Sequence, residues 1–192
     1  MKYIKLHSDE CSPSEFIVFW SSLYRDSKES FYIPVIDKQK FDIGDINNLF
    51  EWKNGVKLSQ KKKQSLNINI INKLEIINKL KHNFNLSTFQ EEFGRISAIW
   101  KIFLLHIIAS DRYPIFDQHV FRSYYFLKHN EVKEISYKNK EKEEIYFKEY
   151  LEFFNSLHNN LINADIPKKK IDEALWVFGR FLKSDYGKIL FQ

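Results

Sequence analysis

The apolar positions of this chain recur at helical rather than strand spacing. Ser12-Pro13-Ser14-Glu15 reads as a capping box with proline at the first helical position. Phe16, Phe19, Trp20 and Leu23 then form one apolar stripe. Residues 31–36, interrupted by Pro34, read as extended or irregular. Asp45 is placed to cap a short helix through Phe50 and Trp52, which the Asn54-Gly55 turn ends. Ser59 opens a longer helix, with Lys61-Lys62-Lys63 early and Ile70, Leu74 and Ile77 on one face later. Residues 83–86 break it, and Ser87-Thr88-Phe89-Gln90 reads as a second capping box.

Residues 98–109 are apolar almost all round, as in a helix buried on most sides. Ser110-Asp111-Arg112-Tyr113-Pro114 interrupts the pattern, and Asp117 stands in the N-cap position ahead of Val120, Phe121, Tyr124 and Leu127. The charged stretch 131–142 reads as a solvated loop or hairpin. Phe147, Tyr150, Leu151 and Phe154 mark another helix, and a last one after Asp165-Ile166-Pro167 carries Ile171, Ala174, Leu175, Phe178 and Leu182. The expected fold is all-α: seven or eight helices in one domain over 1–192, or two small lobes around a cleft.

Composition supports this reading. With 44% hydrophobic and 17% aromatic residues the chain has the material for a core and is not intrinsically disordered. Five glycines and four prolines disfavour a turn-rich β-sandwich. Cys11 is the single cysteine, which excludes an intramolecular disulfide framework, a thiolate zinc site and a four-cysteine iron–sulfur cluster. The six histidines show no metal-ligand spacing, so neither a metal nor another cofactor is expected. The net charge of +5 is compatible with a phosphate-bearing partner. The longest apolar run, 102–109, contains His106 and is too short to span a bilayer. Met1-Lys2-Tyr3-Ile4-Lys5-Leu6-His7 lacks the apolar stretch of a signal peptide, so a cytoplasmic location without membrane association is the expectation. No Walker loop, dinucleotide fingerprint or Gly-Xaa-Ser-Xaa-Gly elbow appears.

The most informative passage joins the buried helix at 98–109 to Phe116-Asp117-Gln118-His119-Val120-Phe121-Arg122. Here the chain resembles the helix-hairpin-helix DNA glycosylase superfamily, whose hairpin and second helix lead into Val-Asp-Xaa-His-Val-Xaa-Arg or a close variant. The resemblance covers about residues 94–127. It implies that Asp117 is the catalytic aspartate and that Lys101, just after the hairpin, is the lysine of members that also cut the strand. The chain departs from the family's pattern in three respects. Residues 94–100 keep no Gly-Xaa-Gly, the interval from Lys101 to Asp117 is slightly short, and the iron–sulfur cysteines of some members are absent.

These residue types suit the implied chemistry. Breaking an N-glycosidic bond builds positive charge on the sugar, which a carboxylate such as Asp117 stabilises, or it positions a nucleophile. A lysine amine in a desolvated pocket forms a Schiff base with C1′, the role implied for Lys101. His119 and Arg122 contact a phosphate or hold their helix; for Arg122 the alternative is an intramolecular ion pair. A flipped base needs an aromatic slot, for which Trp100 and Trp176, then Trp52 and Phe178, are candidates. His106 reads as a satisfied buried histidine. Lys61-Lys62-Lys63 and Lys168-Lys169-Lys170 are either solvated helix faces or phosphate contacts. The functional expectation is excision of a damaged or modified base from DNA. The alternatives are an N-glycosidase acting on a nucleoside, nucleotide or RNA, and a non-catalytic helical module that binds nucleic acid or protein.

Overall fold

The computed structural model describes residues 9–191, so segment 1–7, expected to carry no signal peptide, lies outside the described residues. The chain is all-α, and no strand occurs among the described residues. It divides into two compact units. One combines Met1–Tyr24 with Pro114–Gln192; the other is the intervening Arg25–Tyr113.

The terminal unit contains α1 (Pro13–Ser22), α8 (Gln118–His129), α9 (Asn139–Ile145), α10 (Leu151–Asn160), α11 (Lys168–Lys183) and α12 (Asp185–Phe191). A π-helical turn, Tyr146–Tyr150, links α9 to α10. The central unit contains α2 (Glu29–Ile36), α3 (Ile43–Asn54), α4 (Gln60–Asn69), α5 (Leu74–His82), α6 (Leu86–Phe93) and α7 (Ala98–Ile108).

The terminal unit is organised around α11, whose Ile171, Ala174, Leu175, Phe178 and Leu182 are all buried. Helix α1 opens with the expected capping box: Ser12 accepts from Glu15 N, and Glu15 accepts from Ser12 N at 2.9 Å. Its packing face differs from the expected stripe. Ile17 is fully buried, whereas Phe19 and Leu23 are exposed. Phe16 and Trp20 meet Phe178 at 5.1 and 4.9 Å. A helix apolar on several sides offers more than one face, and its partner decides which one is covered.

Helix α8 crosses α11 at Gly179, with no room for a side chain. A Cβ there would stand 1.9 Å from the carbonyl oxygen of His119. Ser123 donates its hydroxyl to the carbonyl of Leu175 at the same crossing. Such close backbone approach is what glycine permits.

In the central unit α7 is nearly enclosed, with Lys101 and every residue from Ile102 to Ile108 buried. His106 Nδ1 lies 2.8 Å from the carbonyl oxygen of Tyr113, an acceptor only, so Nδ1 carries the proton. Its Nε2 therefore accepts from the Tyr32 hydroxyl at 2.6 Å, a fully satisfied buried histidine. Lys81 Nζ donates to the carbonyls of Ile36 and Ile107 at the C-terminal ends of α2 and α7, where cations suit the helix dipole.

Twelve α-helices stand among the described residues where seven or eight were expected, and α9 begins at Asn139 inside the charged stretch read as a loop or hairpin. Four further boundaries differ from the sequence expectations. Residues 29–36 are helical despite Pro34, because Tyr32, Val35 and Ile36 are buried while Pro34 is exposed. The cap of α3 is Asp42, and Asp45 completes its box from the N3 position. Asn85 rather than Ser87 caps α6, its Oδ1 accepting from Thr88 N at 2.9 Å. The long helix after Ser59 breaks at Ile70 into α4 and α5, with buried Leu66, Ile70, Ile77 and Leu80 anchoring both parts.

Candidate functional site

The passage singled out in the sequence takes the expected order of elements. Helices α6 and α7 are joined by a four-residue connection, residues 94–97, and α7 leads through 109–117 into α8. The boundary between the units falls inside that passage, at Tyr113 and Pro114. Lys101 and Trp100 therefore belong to the central unit. Asp117, His119, Arg122 and Trp176 belong to the terminal one.

Asp117 has extended backbone and caps α8. Its Oδ1 accepts from the N–H of His119 at 2.8 Å and of Val120 at 3.0 Å. The positive end of the helix dipole favours a carboxylate there. The side chain is thus held in one position at the mouth of the helix, partly exposed.

Two residues further on, His119 is half-buried and packs edge-on against Trp176 at 5.6 Å. Its Nδ1 lies 3.2 Å from Arg122 Nη1; a guanidinium only donates, so Nδ1 accepts and the ring proton sits on Nε2, which lies 3.5 Å from the side-chain amide of Gln118. Burial lowers the imidazole's affinity for a proton, against the pull of Asp117, and Arg122, Arg180 and Lys183 lower it further. A histidine with a depressed folded pKa stabilises the fold above the ordinary value of 6.5, and that stability is lost as pH falls through the window below it. Urea titrations at pH 7.5 and 5.5 should therefore show a lower midpoint at the acidic pH. His119→Gln, which keeps an acceptor, should narrow the gap; an unchanged gap would remove His119 from the effect.

Arg122 is fully buried and its guanidinium is used within the terminal unit. Nη2 meets Glu134 Oε2 at 2.7 Å and Oε1 at 3.0 Å, and Nε meets Oε1 at 3.1 Å. Nη1 donates to the carbonyl of Gly179 at 2.6 Å. Of the two roles open to it, Arg122 holds the intramolecular ion pair, and the bond from Arg122 keeps the Glu134 carboxyl below the usual range. A phosphate contact is not the use of this side chain, because its donors are already committed.

Trp176 is half-buried, flanked by Tyr24 at 5.6 Å and covered by the Arg180 guanidinium at 4.7 Å. Trp100 packs edge-on against Phe50 at 5.1 Å within the central unit, and Trp52 stacks on Tyr32 at 4.3 Å. Phe178 is core, packed on Phe16 and Trp20. Lys101 is buried on α7 at 6% exposure.

The sequence pattern gave no sign of Tyr150, Asp172, Gly179 or Arg180 as residues of this region. Tyr150 is fully buried on the π-helical turn and donates to the carbonyl of Ile115 at 3.3 Å, two residues before Asp117. Its phenol is pushed well above its ordinary value by burial first, then by Asp172, Tyr146 and Asp117. Two carboxylates thus act on one buried hydroxyl. A π-turn is a common mark of a functional site, but its i→i+5 bonding has no residue signature to read beforehand. Arg180 follows Trp176 by four residues, a spacing that places both on one helix face.

Among the described residues no group of three or more His, Cys, Asp or Glu side chains could hold a metal ion, and no helix is long and apolar enough to cross a membrane. No protein-family model, curated protein or solved structure matches the chain.

Proposed function

We propose that this protein is a DNA glycosylase-like N-glycosidase that releases a damaged or modified base, with Asp117 as its catalytic carboxylate. The observation that carries the reading is the Asp117 side chain, fixed by two backbone N–H bonds at the entrance of α8 within the motif that suggested the family. A carboxylate whose position is set before substrate arrives needs no reorganisation when positive charge develops on the sugar. His119, held on its Nε2–H tautomer beside Trp176, presents a neutral N–H and an aromatic edge next to it. Those features suit a planar, polar-edged base.

The four-residue link between α6 and α7, and the passage from α7 into α8, support the same reading at the level of elements. For a lyase step the resemblance makes Lys101 the amine: its C1′–N bond would form as the glycosidic bond breaks and the base leaves, and opening of the sugar ring would give the Schiff base.

The test is release of free base from a panel of lesion-bearing oligonucleotides, run beside the corresponding free nucleosides. Release from oligonucleotides alone supports the DNA reading, and release from nucleosides alone moves the substrate to a small molecule. No release from either, with binding retained, leaves a non-catalytic module. Borohydride trapping on the same oligonucleotides, compared between wild type and Lys101→Met, reports the lyase step. A trapped adduct that survives the substitution excludes Lys101 as the amine.

A further inference from the structure

The net charge of +5 is not spread over the molecule. The terminal unit carries 15 Lys+Arg against 15 Asp+Glu, and the central unit 15 against 10. The whole excess therefore belongs to the central unit. Within it, the segment between Trp52 and Leu74 contains Lys53, Lys57, Lys61, Lys62, Lys63 and Lys73 and no acidic residue. Lys73 is neutralised by Glu92 at 2.9 Å. Lys57, Lys61, Lys62 and Lys63 are exposed, and none of them makes an ion pair among the described residues.

These four cations lie within one short stretch, around the turn from α3 into the start of α4. Helix α3 ends at Gly55, whose φ of 72° reverses the chain, and Lys62 Nζ donates to Asn54 Oδ1 across the turn. That bond ties the start of α4 to the end of α3. Lys61, Lys62 and Lys63 then occupy the first turns of α4, where no acidic residue stands. Cations at the positive end of a helix disfavour that helix, so folding does not account for their placement; a bound polyanion would offset the cost. The other lysine run behaves differently. Lys169 and Lys170 both pair with Glu173, at 3.2 and 2.8 Å.

We propose that Lys57, Lys61, Lys62 and Lys63 form a contact surface for the phosphodiester backbone of a nucleic acid. Charge placement carries this inference, and it stands independently of the glycosidase chemistry. The surface suits a nucleic acid better than a lipid bilayer. A helix that lies in a membrane interface needs an apolar face, and α4 has only two apolar residues, Leu66 buried in the core and Ile68 exposed, which do not make one. Gln60, Gln64 and Asn67 on the same helix are exposed and add hydrogen-bonding groups suited to phosphate and sugar.

The experiment is fluorescence anisotropy with a labelled oligonucleotide, single-stranded and duplex, across a salt series. Wild type should bind with strong salt dependence. The Lys61→Gln, Lys62→Gln, Lys63→Gln triple variant should weaken duplex binding by about tenfold or more and flatten the log–log salt slope by roughly 0.9 for each phosphate it no longer neutralises. The same change at Lys168, Lys169 and Lys170 removes equal net charge and should alter affinity less than about twofold, since two of those lysines are already paired. Replacing Lys61, Lys62 and Lys63 by Arg should retain binding. Thermal melts should show the Gln triple folded and no less stable than wild type. Equal losses in the two Gln triples would overturn the proposal, as would binding to phosphatidylserine vesicles but to neither oligonucleotide, or no binding at all. Failure of wild type to release base while it still binds the oligonucleotide removes the enzymatic reading and leaves this surface in place.

Discussion

Asp117→Asn is expected to cost about 10²–10⁴-fold in base release while leaving the fold as stable as wild type. The two effects separate because asparagine caps helices about as well as aspartate. Its side-chain oxygen can still accept from His119 N and Val120 N, the two bonds that hold the start of α8. What it loses is the negative charge, and charge is what an oxocarbenium-like sugar requires. Asp117→Ala should show the complementary pattern. It loses activity to the same extent and also loses about 1 kcal/mol of stability with the cap. Comparing base release with the urea midpoint for the three proteins distinguishes the roles. If the asparagine variant retains full activity, Asp117 is a cap alone and the enzymatic assignment fails.

The largest expected effect on stability lies at Gly179. Gly179→Ala would normally gain about 1 kcal/mol of helix propensity. Here the added methyl meets the backbone of α8, with the carbonyl oxygen and carbon of His119 at 1.9 and 2.6 Å, and Ser123 Oγ at 2.9 Å. Backbone cannot rotate away as a side chain can, so α8 and α11 must separate. Separation stretches the bonds from Arg122 Nη1 to Gly179 and from Ser123 to Leu175, both buried at the crossing. We expect a net loss of about 3 kcal/mol, at the upper end of overpacking costs. For a chain of this size that lowers Tm by roughly 6–12 °C. A melt within a degree or two of wild type would show that the helices tolerate a wider crossing.

Much of the local structure was legible because its causes are local. Ser12 with Glu15, Asn54-Gly55, Ser59 and Asp117 each act within a few residues of themselves, so their positions alone announced helix ends. Pro34 misled for the opposite reason. A proline's cost to a helix is fixed by its chemistry, but burial of Tyr32, Val35 and Ile36 outweighed it. The same override rotated α1 toward Ile17 and left Phe19 exposed. Arg122 could be read only as one of two things, since Glu134 and Gly179, its partners, lie 12 and 57 residues away.

From its sequence alone this chain declares itself all-helical and rich in core material, with Asp117 at a helix entrance and two runs of lysine. Those properties follow from periodicity, capping chemistry and composition, which need no partner to be read. Only the tertiary structure decided that Arg122 is spent on an internal ion pair, that His119 is held neutral beside Trp176, and that Gly179 is where two helices touch. The pairing of one lysine run is local by contrast, because Glu173 stands four and three residues after Lys169 and Lys170 on the same helix. Glu173 neutralises part of the run at 168–170, whereas Lys57, Lys61, Lys62 and Lys63 stand exposed without a carboxylate. For Arg122, His119 and Gly179 the reason is that pairing, burial and close approach depend on which distant residues the fold makes neighbours.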